Sequence, residues 1–326
     1  MPSGMFRTSV VTLSAALGLG AQAANPGTAF EARFAPLYAR VFTEGASFSG
    51  SAMSAELKAL EPLLRKPEAS ARDIFRLYYT EASVFGRRQM PEQAAKAAQM
   101  ALAAMPVAPA ANDVELAYAH FFLRYSSIRW LAASKDYDAA LKQVRAFQTQ
   151  YPLQSLNKLP AQMRWEQSGD TPKPRDFPSQ MQLLAVYEDE GYVLHEQRKF
   201  REARQANEKL LPVSRELTQA AGQPERLRGV LTNLAQNCYE LGDFDQARSY
   251  LLERLKIAQT AKDHDTVYDC FFQLMVLAHE QKQTEQAKQW LAAYEQYAKA
   301  QKDSEQLERV KDLRAELASK QAARKP

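Results

Sequence analysis

Between Arg226 and Asp303 the chain carries two stretches with almost the same punctuation. The first runs through Leu231-Thr232-Asn233-Leu234-Ala235 to Gly242-Asp243-Phe244-Asp245-Gln246-Ala247. The second runs through Phe271-Phe272-Gln273-Leu274-Met275 to Lys282-Gln283-Thr284-Glu285-Gln286-Ala287. The small residues Ala247 and Ala287 stand 40 positions apart. Self-similarity at such a period marks a repeat architecture, in which one helix pair cannot bury its apolar face alone and stacks on the next. The feature predicts an all-α, superhelical solenoid of antiparallel helix pairs with about five to six repeats.

The same spacing recurs upstream. Ala82, Ala94 and Pro106 follow one another at intervals of twelve, as do Ala140 and Pro152, and Gly191 and Ala203. A small residue at the crossing lets two helices approach, and a proline ends the second helix. Apolar residues at Phe30, Phe34, Leu37, Tyr38 and Val41 have helical spacing. With a second amphipathic stretch at 54–65 they read as an N-terminal cap or a degenerate repeat. Residues 153–180 break the pattern with Pro160, Pro172, Pro174 and Pro178, and two readings stand: a long surface loop, or a hinge or groove-covering insertion. The expected order is a leader at 1–23, the cap at 24–70, repeats at 71–152, the proline-rich insertion or hinge at 153–180, repeats at 181–303, and a capping helix with a basic tail at 304–326.

These residues resemble the tetratricopeptide repeat. Gly191 or Ala235 sits in the first helix, Ala203, Ala247 or Ala287 opens the second behind Phe200 or Phe244, and Pro106 or Pro152 closes the unit. The family's usual period is about 34 residues, whereas the anchors here lie 40 to 63 apart. The last two repeats are more similar to the longer variant of kinesin light chains and bacterial peptide-responsive regulators, whose Asn-Leu-Ala matches Asn233-Leu234-Ala235. The resemblance implies a groove lined by the first helix of each pair. Its inward positions transfer to Tyr79 and Ser83, to Tyr125 and Arg129, and to Glu188, Tyr192 and His195. They continue at Thr232, Asn233, Gln236 and Tyr239, then at Gln273 and His279. The expected partner-binding residues are Tyr192, His195, Thr232, Asn233, Gln236, Tyr239, Gln273 and His279. Tyrosine and amide side chains suit an extended peptide, because they stack or hydrogen-bond at low entropic cost.

Composition narrows the function further. Forty-two basic and 38 acidic residues leave a net charge of +4, spread over mixed-sign helix faces. That is a solvated surface, not the basic stripe of a nucleic-acid binder. His195 and His279 echo each other within Leu/Ala-His-Glu-Gln, but two repeats separate them, and neither copy makes H-E-x-x-H. No phosphate-binding, dinucleotide or nucleophile-elbow motif occurs, and no carboxylate pair stands out. The expectation is a chain with no catalytic residues, no metal and no cofactor.

Ser9 to Gly20 is apolar, Arg7 precedes it, and Ala21-Gln22-Ala23 fits a cleavage site, so a secretory leader and a periplasmic location are expected. No other stretch is apolar enough to span a membrane. Cys238 and Cys270 fall on first helices of adjacent repeats about 12 Å out of register, which keeps them unbridged. Together these readings give an exported adaptor, scaffold or chaperone-like protein that holds a protein or peptide. The alternative is a ligand- or peptide-responsive sensor that closes about the 153–180 hinge.

Overall fold

A computed structural model describes residues 29–43, 50–65, 69–109, 113–168 and 171–322; the leader expected at 1–23 lies outside them. The described chain is helical but for one two-stranded hairpin. It divides into two compact units, one drawn from Met1–Gln150 with Lys158–Leu183, the other from Tyr151–Asn157 with Leu184–Pro326.

The first unit begins with α1 (Ala29–Thr43) and α2 (Gly50–Lys58), then a 3-10 helix over Glu61–Arg65. Phe30, Phe34, Tyr38 and Phe42 recur every fourth residue, so they share one face of α1, and all are buried. Their rings follow one another at 5.0, 5.5 and 4.7 Å between centroids. That face lies on α3 (Ala71–Arg87), where Tyr79 stacks on Phe42 at 5.7 Å and on Phe75 at 6.0 Å. Arg76 joins the same contact: it reaches Glu31 at 2.7 Å and lies over the Phe34 ring. Tyr79 and Ser83, expected to line an open groove, are therefore buried instead. The reason is the aromatic face of α1, which covers the surface that the first helix would otherwise leave open.

Two helix pairs follow in this unit, α3 with α4 (Pro91–Ala104) and α5 (Val114–Ala133) with α6 (Tyr137–Gln150). α3 starts at a capping box, in which Ser70 and Asp73 satisfy each other's backbone N–H. α4 turns Ala94, Ala97, Ala98 and Ala101 inward, and such short side chains let its axis come close. The described part of 153–180 carries secondary structure of its own. A 3-10 turn at Leu153–Lys158 leads into strands β1 (Arg164–Ser168) and β2 (Thr171–Arg175), paired antiparallel with Trp165 opposite Pro174. The alternate prolines of β2 leave Thr171, Lys173 and Arg175 to supply its ladder donors. Trp165 and Phe177 then stand edge-on against Tyr118 of α5, at 5.5 and 5.2 Å, so the hairpin is seated on the first unit's core.

The second unit holds most of α7 (Gln180–Glu196), then α8 (Phe200–Ala220), α9 (Arg228–Glu240), α10 (Phe244–Thr260), α11 (His264–Glu280), α12 (Thr284–Gln301) and α13 (Ser304–Ala322). Gly191 marks the α7–α8 crossing, where a Cβ would meet the buried Asn207 amide at 2.0 Å. Ala203, Ala235, Ala247 and Ala287 are all buried at the other small-residue positions. Across both units, the turn inside each pair places one residue in the left-handed region: Gln89, Lys135, Arg198, Gly242 and Lys282.

A second regularity ties successive pairs together. Arg72 of α3 binds Asp113, the N-cap of α5, at 2.8 Å. Arg204 of α8 binds Asp243, the N-cap of α10, at 2.8 Å. Arg228 of α9 binds Asp263, the N-cap of α11, and Arg248 of α10 binds Gln283, the N-cap of α12, at 3.1 Å. In each case a guanidinium holds the start of the element two further along. Cys238 and Cys270 are free and buried. Burial pushes both thiols up to about 11, where they act as small hydrophobes instead of nucleophiles.

Candidate partner-binding face

The expected site residues all fall in the second unit, on α7, α9 and α11. Each of these helices buries one apolar stripe. On α9 it is Val230, Leu231, Leu234, Ala235 and Cys238; on α11 it is Val267, Phe271, Leu274, Met275 and Ala278. The opposite stripe of α9 leaves Thr232, Asn233, Gln236 and Tyr239 half-exposed, and that of α11 leaves Phe272, Gln273, Val276 and His279 in the same state. Tyr192 and His195 of α7 are half-exposed as well. All eight expected residues therefore have accessible surface, and six of them divide into two kinds.

Some of them join neighbouring helices. His195 Nδ1 lies 2.8 Å from Asn237 Oδ1. The amide oxygen only accepts, so the proton sits on Nδ1 and the imidazole is held by α9. Phe200 closes against the same ring edge-on at 5.1 Å. Asn233 Nδ2 donates to the Glu188 carbonyl of α7 at 3.3 Å. Gly229 makes room for this approach, since a Cβ there would stand 2.3 Å from Glu188 Oε2. Gln273 Nε2 donates to Asp269 at 2.8 Å. Asp269 in turn takes a 2.6 Å contact from the buried Arg254 of α10. Thr232 turns its hydroxyl back to the Arg228 carbonyl at 2.6 Å, a contact within its own helix.

Others keep hydrogen-bonding capacity to offer. Gln236 spends none on a described neighbour. Tyr239 stands edge-on to Phe244 at 5.8 Å. Burial first, then the Glu280 and Glu240 carboxylates, raise its phenol above the ordinary range, so it is neutral and able to donate. Phe272 lies beneath the Arg309 guanidinium of α13 at 5.1 Å. The result is a half-open strip of amides, rings and one aliphatic side chain, set on helices locked to one another. It can hydrogen-bond and stack against a chain laid across it. Among the described residues, no group of three or more histidine, cysteine or acidic side chains comes together as a metal site.

Sequence reasoning missed Asn237, Asp269, Arg254 and Phe272. Asn237 repeats Asn233 one helical turn later, and only the packed structure shows that the second amide is the buried one. Phe272 occupies the same place in its repeat as Thr232, and that correspondence could have found it.

No family model and no curated protein sequence matches the chain. Solved structures do. The chain is similar to the apo form of RapI with a TM-score of 0.52 and 14% identity, over 86% of this chain and 70% of that one. It is similar to PH0952 from Pyrococcus horikoshii, a signal transduction ATPase with a tetratricopeptide repeat sensor, with a TM-score of 0.50 and 14% identity. That match covers 84% of this chain and 38% of the other. With the helix order above, these similarities give the fold as an all-α solenoid of tetratricopeptide-like helix pairs. Among the described residues, no helix is long and apolar enough to cross a membrane.

Proposed function

We propose that this chain is an exported, non-catalytic helical-repeat protein that holds a peptide or protein partner on the face formed by α7, α9 and α11. One observation carries the reading. Three consecutive first helices bury their apolar stripe and present amide and aromatic side chains half-open on the other, above joints that fix their spacing. A rigid surface of this kind loses little entropy on binding, and an extended backbone finds donors, acceptors and rings along it. Export rests on the apolar run from Ser9 to Gly20 and on Ala21-Gln22-Ala23.

The variants should spare the joints. Gln236→Ala with Tyr239→Ala removes one amide and one ring while leaving His195–Asn237 and Asn233–Glu188 in place. A partner recovered from the periplasmic fraction should bind this double variant roughly tenfold more weakly or worse, at about 0.5–1.5 kcal/mol per lost hydrogen bond plus the stacking. Lys288→Ala, on the exposed side of α12, should bind normally. Full affinity in the double variant together with loss in Lys288→Ala would move the interface to the second helices. Mass spectrometry of the expressed protein should find Ala24 at the N-terminus. An intact Met1 or Met5 terminus would remove export.

A further inference from the structure

The buried acids of the first unit are not treated alike. Glu31 is paired with Arg76, and Asp73 completes the Ser70 capping box. Glu81 of α3 is only 8% exposed, yet it accepts no hydrogen bond and makes no ion pair with any described residue. A buried carboxylate without a partner opposes the packing around it.

What lies over Glu81 is a short strap, α2 followed by the Glu61–Arg65 3-10 helix. The strap runs antiparallel to α3. Its start is fixed where Arg88 Nη1 donates to Ser54 Oγ at 3.1 Å. Lys58 and Glu61 then act on Glu81, and Glu61 and Arg65 act on Tyr78, one turn further back along α3. Met53, Leu57 and Leu60 hold the strap down by burial in the same apolar cluster as Phe75, Leu77 and Val84. The groups facing Glu81 are thus Glu61 from the 3-10 helix and Lys58 from α2, with Tyr78 beside it on α3. Among the described residues, α1, α4 and α5 put no charge on it. A second carboxylate over a buried, unpaired one makes ionisation and seating compete.

We infer that the α2–3-10 strap is a proton-operated latch: it seats on α3 while Glu81 carries its proton and loosens when Glu81 ionises. Burial first and Glu61 second push the Glu81 carboxyl up to about 7, against the opposing pull of Lys58. The seated strap therefore binds the proton more tightly than the released one. Seating is complete below the ordinary carboxylate range and is lost as pH rises through about 7. Loosening uncovers part of the cluster to which Met53, Leu57 and Leu60 belong.

Hydrogen exchange of the full chain, followed by mass spectrometry and corrected for intrinsic exchange rates, reads the latch directly. Protection of 50–65 should fall roughly tenfold or more between acid and alkaline ends of a pH 5.5 to 8.5 series, while α9 and α10 hold theirs. Glu81→Gln should keep 50–65 protected at every pH. Glu61→Gln should move the midpoint of the fall to lower pH, because it takes a negative charge away from Glu81. A wild-type strap with no such fall overturns the latch, as does a fall that survives in Glu81→Gln. Should Glu81→Gln fail to fold, an unmoved midpoint in Glu61→Gln overturns it equally.

Discussion

Tyr79 of α3 and Thr232 of α9 occupy the same place in their helix pairs, three residues before the small contact residues Ala82 and Ala235. In the first unit Tyr79 is sealed between Phe42 and Phe75. In the second, Thr232 stands half-open with its hydroxyl turned back to its own helix. The repeat frame is the same; what differs is the aromatic face of α1, which covers one and, among the described residues, has no counterpart over the other. A repeat's own sequence settles which residues form its crossing. Whether its remaining face is available depends on what the chain lays over it.

The largest test of this contrast is a pair of truncations. Tyr79→Ala empties a large buried site and should cost about 3–5 kcal/mol in a denaturant melt. Thr232→Ala, at the same place in the frame, should cost about 0.5 kcal/mol or less. Similar losses would mean that α9 is covered too. At the crossings the two units should instead agree. Ala94→Leu and Ala247→Leu should each destabilise by about 1–3 kcal/mol through overpacking, while Ala292→Leu, on the exposed side of α12, should stay within about 0.5 kcal/mol. A large effect at only one crossing would show that the two units do not share one packing rule. The smallest effect lies in the turns. Lys135→Gly in the first unit and Lys282→Gly in the second relieve a left-handed lysine and should each gain roughly 0.5–1 kcal/mol. A loss at either position would show that its lysine side chain does more than fill a turn.

The helix pairs were legible because their signals are local. A small residue twelve positions from the next, apolar spacing near 3.6 and a turn before each second helix are all written within one repeat. The hairpin was not legible. Pro172 and Pro174 read as breaks, and only when paired with Gln167 and Trp165 do they fall where the ladder can spare their donors. The burial of Tyr79 escaped for a different reason, since it is imposed by α1, whose Phe42 stacks on it from well outside its own helix pair. The candidate face was half legible. Tyrosines, histidines and amides at helical spacing pointed to α7, α9 and α11 as the helices with half-open polar stripes, but a rotation of about 100° per residue decides whether Asn233 or Asn237 is the buried one. Only the tertiary contact of Asn237 with His195 resolves it.

The arginine-to-cap ties also bear on how such a chain can gain or lose repeats. Each tie starts in one helix and ends at the beginning of the element two places on. Excising the α9–α10 pair would remove Arg228 and Arg248 and leave the caps Asp263 and Gln283 without their guanidinium. It would also leave Arg204 facing no Asp243. One deletion thus damages three seams at once, and an inserted pair would have to bring both an arginine and a cap that fit strangers. Duplication of a whole pair preserves every tie only if the copies keep the spacing of the original. The present length of this array is therefore held in place by interlocking neighbours.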